Sequence, residues 1–126
     1  MSEMKKVVVV DDDRKIIILL EKALTEKGFQ VFSAVEGTKA LELVKKERPA
    51  LLISDILQPG IDGISLCQEV KQDPELGDIA VILMTGVYKQ ASFKTEMNCK
   101  PDAFIEKPLD INQLKAMILE ELGIGN

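Results

Sequence analysis

The chain has 126 residues, a length that suits one domain and buries roughly two-thirds of the surface its unfolded form exposes. Apolar residues at 46% and charged residues at 29% exclude a disordered chain, and no apolar run is long enough to span a bilayer. A net charge of −5 with scattered lysines and arginines argues against a nucleic-acid interface, and the absence of histidine excludes Ser-His-Asp and Cys-His hydrolases and most zinc sites.

Short apolar runs alternate with helical patterns along the chain, as in a parallel sheet with crossover helices. The opening MSEMKK is followed by four valines only, too few for the core of a signal peptide, and a cytoplasmic location is expected. Those valines, residues 7–10, predict the first strand, which runs directly into Asp11, Asp12 and Asp13. A helix follows, capped by Asp13 and stopped at Gly28. Within it Ile18 lies three, four and seven positions from Glu21, Lys22 and Thr25, which places it on the polar face. Residues 31–34 predict the second strand, and residues 38–47 a helix that turns Ala40, Leu41 and Val44 inward and ends before Pro49. Residues 51–54 predict the third strand, followed by a helix capped by Asp62 that carries Ile64, Cys67 and Val70. Residues 80–84 predict the fourth strand, residues 91–98 a fourth helix, and residues 103–105 the fifth strand. The last helix opens on the capping pair Asp110 and Gln113 and directs Ile111, Leu114, Ile118 and Leu122 inward.

The first, third and fourth strands are nearly continuous apolar runs, as expected when both faces of a strand are covered. Right-handed crossovers then make an open, doubly wound α/β sheet, expected to form a single domain over residues 1–126. Cys67 and Cys99, 32 positions apart with no other cysteine near either, read as buried free thiols.

In such sheets ligands bind beyond the carboxyl ends of the strands. Those ends carry Asp11 and Asp12, Asp55, Thr85 and Lys107. Parallel neighbours lie about 4.8 Å apart, so these side chains can share one pocket. Carboxylates gathered there raise one another's pKa unless a cation neutralises them. Oxygen donors without histidine or cysteine select Mg²⁺, and a hydroxyl and an ammonium beside the metal suit the oxygens of a phosphoryl group. Three acids are available for the pair at the first strand. Asp11 and Asp12 follow the strand directly and leave Asp13 to cap the helix, but a shift by one residue stays open.

The segments VVVVDDD, LLISDILQPGIDG, VILMTG and AFIEKPL together resemble the four signatures of the response-regulator receiver domain of two-component signalling. The resemblance extends over essentially the whole chain and implies a flavodoxin-like fold, five parallel strands in the order 2-1-3-4-5 flanked by five helices. It implies that Asp55 takes a phosphoryl group from the phosphohistidine of a sensor histidine kinase or histidine phosphotransfer protein. Asp11, Asp12, Asp55 and the Leu57 carbonyl would hold Mg²⁺, while Thr85 and Lys107 would contact the phosphoryl oxygens. Phe104 falls at the family's aromatic switch position, and the bond before Pro108 is commonly cis. The chain would catalyse only its own phosphorylation and dephosphorylation. It would signal to a downstream protein through the fourth helix, fifth strand and fifth helix, with no direct contact to nucleic acid or membrane.

Some positions depart from the family pattern. Gln58 stands where methionine is usual before the loop proline, a surface change expected to leave the chemistry intact. CKPDAF replaces the usual Gly-Ala pair before the fifth strand; it removes the residue that tolerates a left-handed cap, and Pro101 biases Lys100 away from helical angles. The output face beside it is therefore expected to differ in shape. The resemblance implies that the second residue after the phosphoacceptor and the second after the threonine flank the approach of a hydrolytic water; here these are Leu57 and Val87, both apolar, so a comparatively long-lived acyl phosphate is expected.

Two other readings are open at this level. VVVVDDD and VILMT also resemble motifs of haloacid-dehalogenase-type phosphatases, with Asp11 as nucleophile and Asp13 as acid/base. That reading lacks a late acidic pair and leaves Asp55 and the KP dipeptide unexplained. A pseudo-receiver, a binding module with the fold but without the chemistry, is the second.

Overall fold

Four consecutive valines form an interior strand of the sheet. Branching at Cβ favours extended backbone, and in the computed structural model, which describes residues 4–86 and 100–123, all four are fully buried in β1, Lys6–Val10. β2 (Gln30–Ala34) and β3 (Leu51–Asp55) flank it, with β4 (Ala80–Gly86) and β5 (Ala103–Lys107) beyond β3. All pairings are parallel and the order is β2-β1-β3-β4-β5, as expected. Alternation along each strand divides the core in two. Val8, Val10, Leu52, Val81 and Leu83 pack on one side of the sheet with residues of α2 (Gly37–Glu47) and α3 (Gly63–Gln72). Val7, Val9, Leu51, Ile53, Ile82 and Met84 pack on the other with residues of α1 (Arg14–Glu26) and α4 (Ile111–Glu121).

The helix boundaries follow the caps in the sequence. Asp13, Asp62 and Asp110 each accept from a backbone N–H in the first turn of α1, α3 and α4. Gly28, at φ 91°, follows α1, and Arg48 takes the left-handed conformation after α2. Among the described residues the helices number four; the helix predicted over residues 91–98 lies outside them. None of the described helices is long and apolar enough to cross a membrane.

The departure at CKPDAF has a structural consequence at the start of β5. The Asp102 carboxylate accepts from the Val81 N–H and from the Lys71 ammonium, both at 2.7 Å. Lys71 also donates to the Ile79 carbonyl at 2.8 Å. The entry to β5 is thus fastened to β4 and α3 by side chains. Cys67 is fully buried in α3 and disulfide-bonded, which corrects the free-thiol reading; Cys99 lies outside the described residues.

Candidate functional site

Parallel pairing brings the strand ends together at one edge. Val10 lies opposite both Ala34 and Ser54, so Asp11 and Asp55 each follow directly on neighbouring strands. Asp55 is itself opposite Met84, which places Thr85 one step beyond, and Gly86 is opposite Lys107. Carboxylate oxygens of Asp11, Asp12 and Asp55 all lie within 4.8 Å of one another.

Asp11 is the buried anchor of the group. It is fully inaccessible, and its Oδ1 accepts from the Asp13 N–H at 2.9 Å while its Oδ2 accepts from Lys107 Nζ at 2.6 Å. The same ammonium lies 3.4 Å from Asp55 Oδ2. Asp12 is exposed, facing solvent where Asp11 faces protein. Thr85 is buried and its hydroxyl donates to the Gly86 carbonyl. Asp13 stands apart from the acidic group and caps α1, accepting from the Lys15 N–H at 2.9 Å. The bond between Lys107 and Pro108 is cis.

Burial raises the Asp55 carboxyl; the Lys107 ammonium pulls it down and the Asp11 charge pushes it up, with a net rise. Burial alone would lower Lys107, but its hydrogen bond to Asp11 and the charges of Asp55 and Asp11 outweigh that, and it ends raised. A raised Asp55 binds its proton more tightly folded than unfolded. Its contribution to stability is therefore present below the unfolded value and lost as pH rises through the folded one. Without metal, acidification from neutral pH should narrow any stability advantage of Asp55→Asn over the wild type. Thermal melts of both proteins across pH 4 to 7.5 check this.

Three carboxylates against one ammonium leave an excess of negative charge at a partly buried edge. The donors are hard oxygens, close enough together for one small cation, and so fit Mg²⁺.

The loop from β3 to α3 leaves this edge directly after Asp55. The Gly63 N–H donates to the Ile56 carbonyl at 2.8 Å, and the Gly37 N–H donates to the Pro59 carbonyl at 3.0 Å. A Cβ on Gly37 would collide with the Ile61 carbonyl, and one on Gly63 with the Asp55 carbonyl, so both close approaches require glycine. Gln58 is half-buried and hydrogen-bonded at both ends of its amide, to Ser54 and to Ile61, which corrects its reading as a surface change. An amide where methionine is usual was the available signal. Leu57, next to it, is 55% exposed, while Val87 lies outside the described residues.

The sheet order and this edge define a receiver-type α/β domain, and residues 7–119 match the response regulator receiver domain family. The chain belongs to that family, whose members act in phosphotransfer signalling and not as metabolic enzymes. It is 32% identical over 100 residues to the "Probable transcriptional regulator ycf27" of Porphyridium aerugineum, covering 79% of this chain and 40% of that protein. The chain thus spans about 40% of the length of that relative. The receiver domain of a signal transduction histidine kinase from Syntrophus aciditrophicus is 31% identical, with a TM-score of 0.86 over 94% of this chain and 90% of that one. The receiver domain of a Pseudomonas aeruginosa PAO1 sensor histidine kinase, solved with magnesium coordinated in its active-site cleft, shares the fold. Its TM-score is 0.86 at 18% identity, over 96% of this chain and 99% of that one.

Proposed function

We propose that residues 1–126 form one receiver domain that accepts a phosphoryl group on Asp55 in a Mg²⁺-dependent reaction and then switches a partner-binding face. The observation that carries this is the convergence of Asp11, Asp12 and Asp55 with Lys107 at adjoining strand ends. Asp11, Asp12, Asp55 and the Leu57 carbonyl would hold Mg²⁺; the magnesium-bearing Pseudomonas domain of the same fold supports the choice. When bound, the ion supplies positive charge against the phosphoryl oxygens. An Asp55 oxygen forms the bond to phosphorus as the bond from phosphorus to the donor histidine nitrogen breaks. Lys107 stabilises charge on the phosphoryl oxygens, and the Thr85 hydroxyl donates to one of them. Acetyl phosphate with Mg²⁺ should add one phosphate per chain and chelation should prevent it; no labelling under either condition would leave the pseudo-receiver reading. Calorimetry should show Asp12→Ala weakening Mg²⁺ well beyond Asp13→Ala. The reverse order would move the ligand pair by one residue.

The donor is a sensor histidine kinase or a histidine phosphotransfer protein, and a cytoplasmic location goes with it. α1 borders the acidic edge and presents Ile18 at 63% exposure and Leu19 at 39%, an apolar surface where a phosphohistidine helix would dock. Ile18→Ala should slow transfer from the cognate kinase several-fold and leave acetyl-phosphate labelling unchanged; equal losses in both assays would indicate a folding defect. The output face comprises β5, the last helix α4 and the helix expected over residues 91–98, with Phe104 as its switch. It meets a downstream protein and not nucleic acid or membrane.

A further inference from the structure

The β3–α3 loop carries a side-chain latch that the family pattern does not contain. Gln58 Nε2 donates to the Ile61 carbonyl at 3.0 Å, and its Oε1 accepts from the Ser54 hydroxyl at 3.2 Å. A carbonyl can only accept, so the amide orientation is fixed: nitrogen toward Ile61, oxygen toward Ser54. Ser54 is fully buried, and its hydroxyl also lies 2.8 Å from the carbonyl oxygen of Asp55. One side chain therefore ties the backbone just before the loop's exit to the strand that ends in Asp55. Methionine would fill this space with similar length but has no donor for the Ile61 carbonyl and accepts only weakly from the Ser54 hydroxyl, whose proton would then fall to the Asp55 carbonyl alone. Pro59, Ile61 and Ile56 carbonyls are all engaged in holding the loop, whereas among the described residues the Leu57 carbonyl takes no hydrogen bond.

We infer that Gln58 is a positioning residue: together with Ser54 it holds the loop so that the Leu57 carbonyl is already placed to serve a Mg²⁺ ion at the acidic edge. This rests on the metal reading above. Groups that orient a ligand from behind typically change metal affinity about 10- to 100-fold when removed. Only two of the loop's several fastenings are lost with Gln58, so the lower end applies. Mg²⁺ demands near-ideal octahedral geometry, whereas Ca²⁺ accepts longer and more variable contacts. A loosened carbonyl should therefore penalise Mg²⁺ more than Ca²⁺, which a general loss of stability would not do.

The test is calorimetric titration of wild type, Gln58→Met, Ser54→Ala, the double variant and Asp55→Asn with MgCl₂ and with CaCl₂, alongside thermal melts. Gln58→Met should bind Mg²⁺ about tenfold more weakly, with a smaller loss for Ca²⁺ and so a reduced preference for Mg²⁺. Ser54→Ala should move the same way, and the double variant should lose little more than Gln58→Met, because both act through one latch. Wild-type affinity for both ions in Gln58→Met overturns the proposal. So does an equal loss for both ions accompanied by a lowered melting temperature. Failure of the wild type to bind Mg²⁺, or unchanged binding in Asp55→Asn, overturns the metal reading itself and this inference with it.

Discussion

Asp55→Asn should abolish phosphate incorporation from acetyl phosphate and Mg²⁺, with labelling falling from one phosphate per chain to none detectable by intact mass. An amide oxygen carries no formal charge and is a poor nucleophile toward phosphorus, so the substitution removes the bond-forming group while changing little in volume. Neighbouring acids offer no substitute. Both oxygens of Asp11 are engaged, one by the Asp13 N–H and one by the Lys107 ammonium, and the residue is fully buried. The Asp13 carboxylate is committed to the first turn of α1. Asp12 is exposed, but it lies in the connection after β1 and not in the loop after β3 that would present Leu57. The loss should come without loss of fold. Burial is the main reason the Asp55 carboxyl is raised, so the charged form is a cost at neutral pH that asparagine does not carry. A melting temperature equal to or above that of the wild type is therefore expected in metal-free buffer. Labelling that survives in the Asn variant would move the acceptor elsewhere.

Much of this site can be read along the sequence because its parts are local. A strand covered on both faces is written as an unbroken apolar run, and β1, β3 and β4 are buried as those runs imply. An aspartate before a helix is written as a cap, and Asp13, Asp62 and Asp110 all act as one. The residues following the strands are then fixed by counting. What adjoins what is a different matter. Strand order came from resemblance, since no periodicity in one strand names its neighbour. The Gly37 approach to the Ile61 carbonyl, the Gln58 latch and the Asp102 fastening of β5 join residues distant in sequence or hidden in an irregular loop. Such contacts leave only a residue type behind, a glycine or an amide, and residue type alone does not disclose its partner. The pairing of Asp11 with Lys107, 96 positions apart, is of the same kind.

Lys107→Met should destabilise the metal-free domain by about 3 kcal/mol, because it leaves the Asp11 carboxylate buried without its counter-ion. Removing one partner of a buried pair commonly costs about 3–5 kcal/mol. The lower end applies here, since the lysine side chain is 26% exposed and the Asp13 N–H still serves one Asp11 oxygen. Methionine keeps most of the aliphatic stem, so the loss reports the charge and not the packing. Arg48→Met provides the contrast: its pair with Glu75 is 3.4 Å long, with side chains 56% and 69% exposed. Breaking a pair so exposed should cost under about 1 kcal/mol. Raised as it is, the Lys107 contribution is present below its unfolded value and lost as pH rises through its folded one, so the difference between wild type and Lys107→Met should persist at pH 7 and shrink only in the alkaline range. Mg²⁺ should offset the defect, because a cation among the same carboxylates replaces the missing charge. At 100 times its Kd, a ligand of the folded state contributes about 2.7 kcal/mol. Urea denaturation of the three proteins at pH 7 and in the alkaline range, with and without Mg²⁺, measures each of these quantities. Phosphate incorporation should remain impaired in Lys107→Met even when Mg²⁺ has restored the fold, since the ammonium that would meet the phosphoryl oxygens is gone. Wild-type stability for Lys107→Met in metal-free buffer would show that Asp11 does not depend on the ammonium, and the electrostatic account of the site would fall with it.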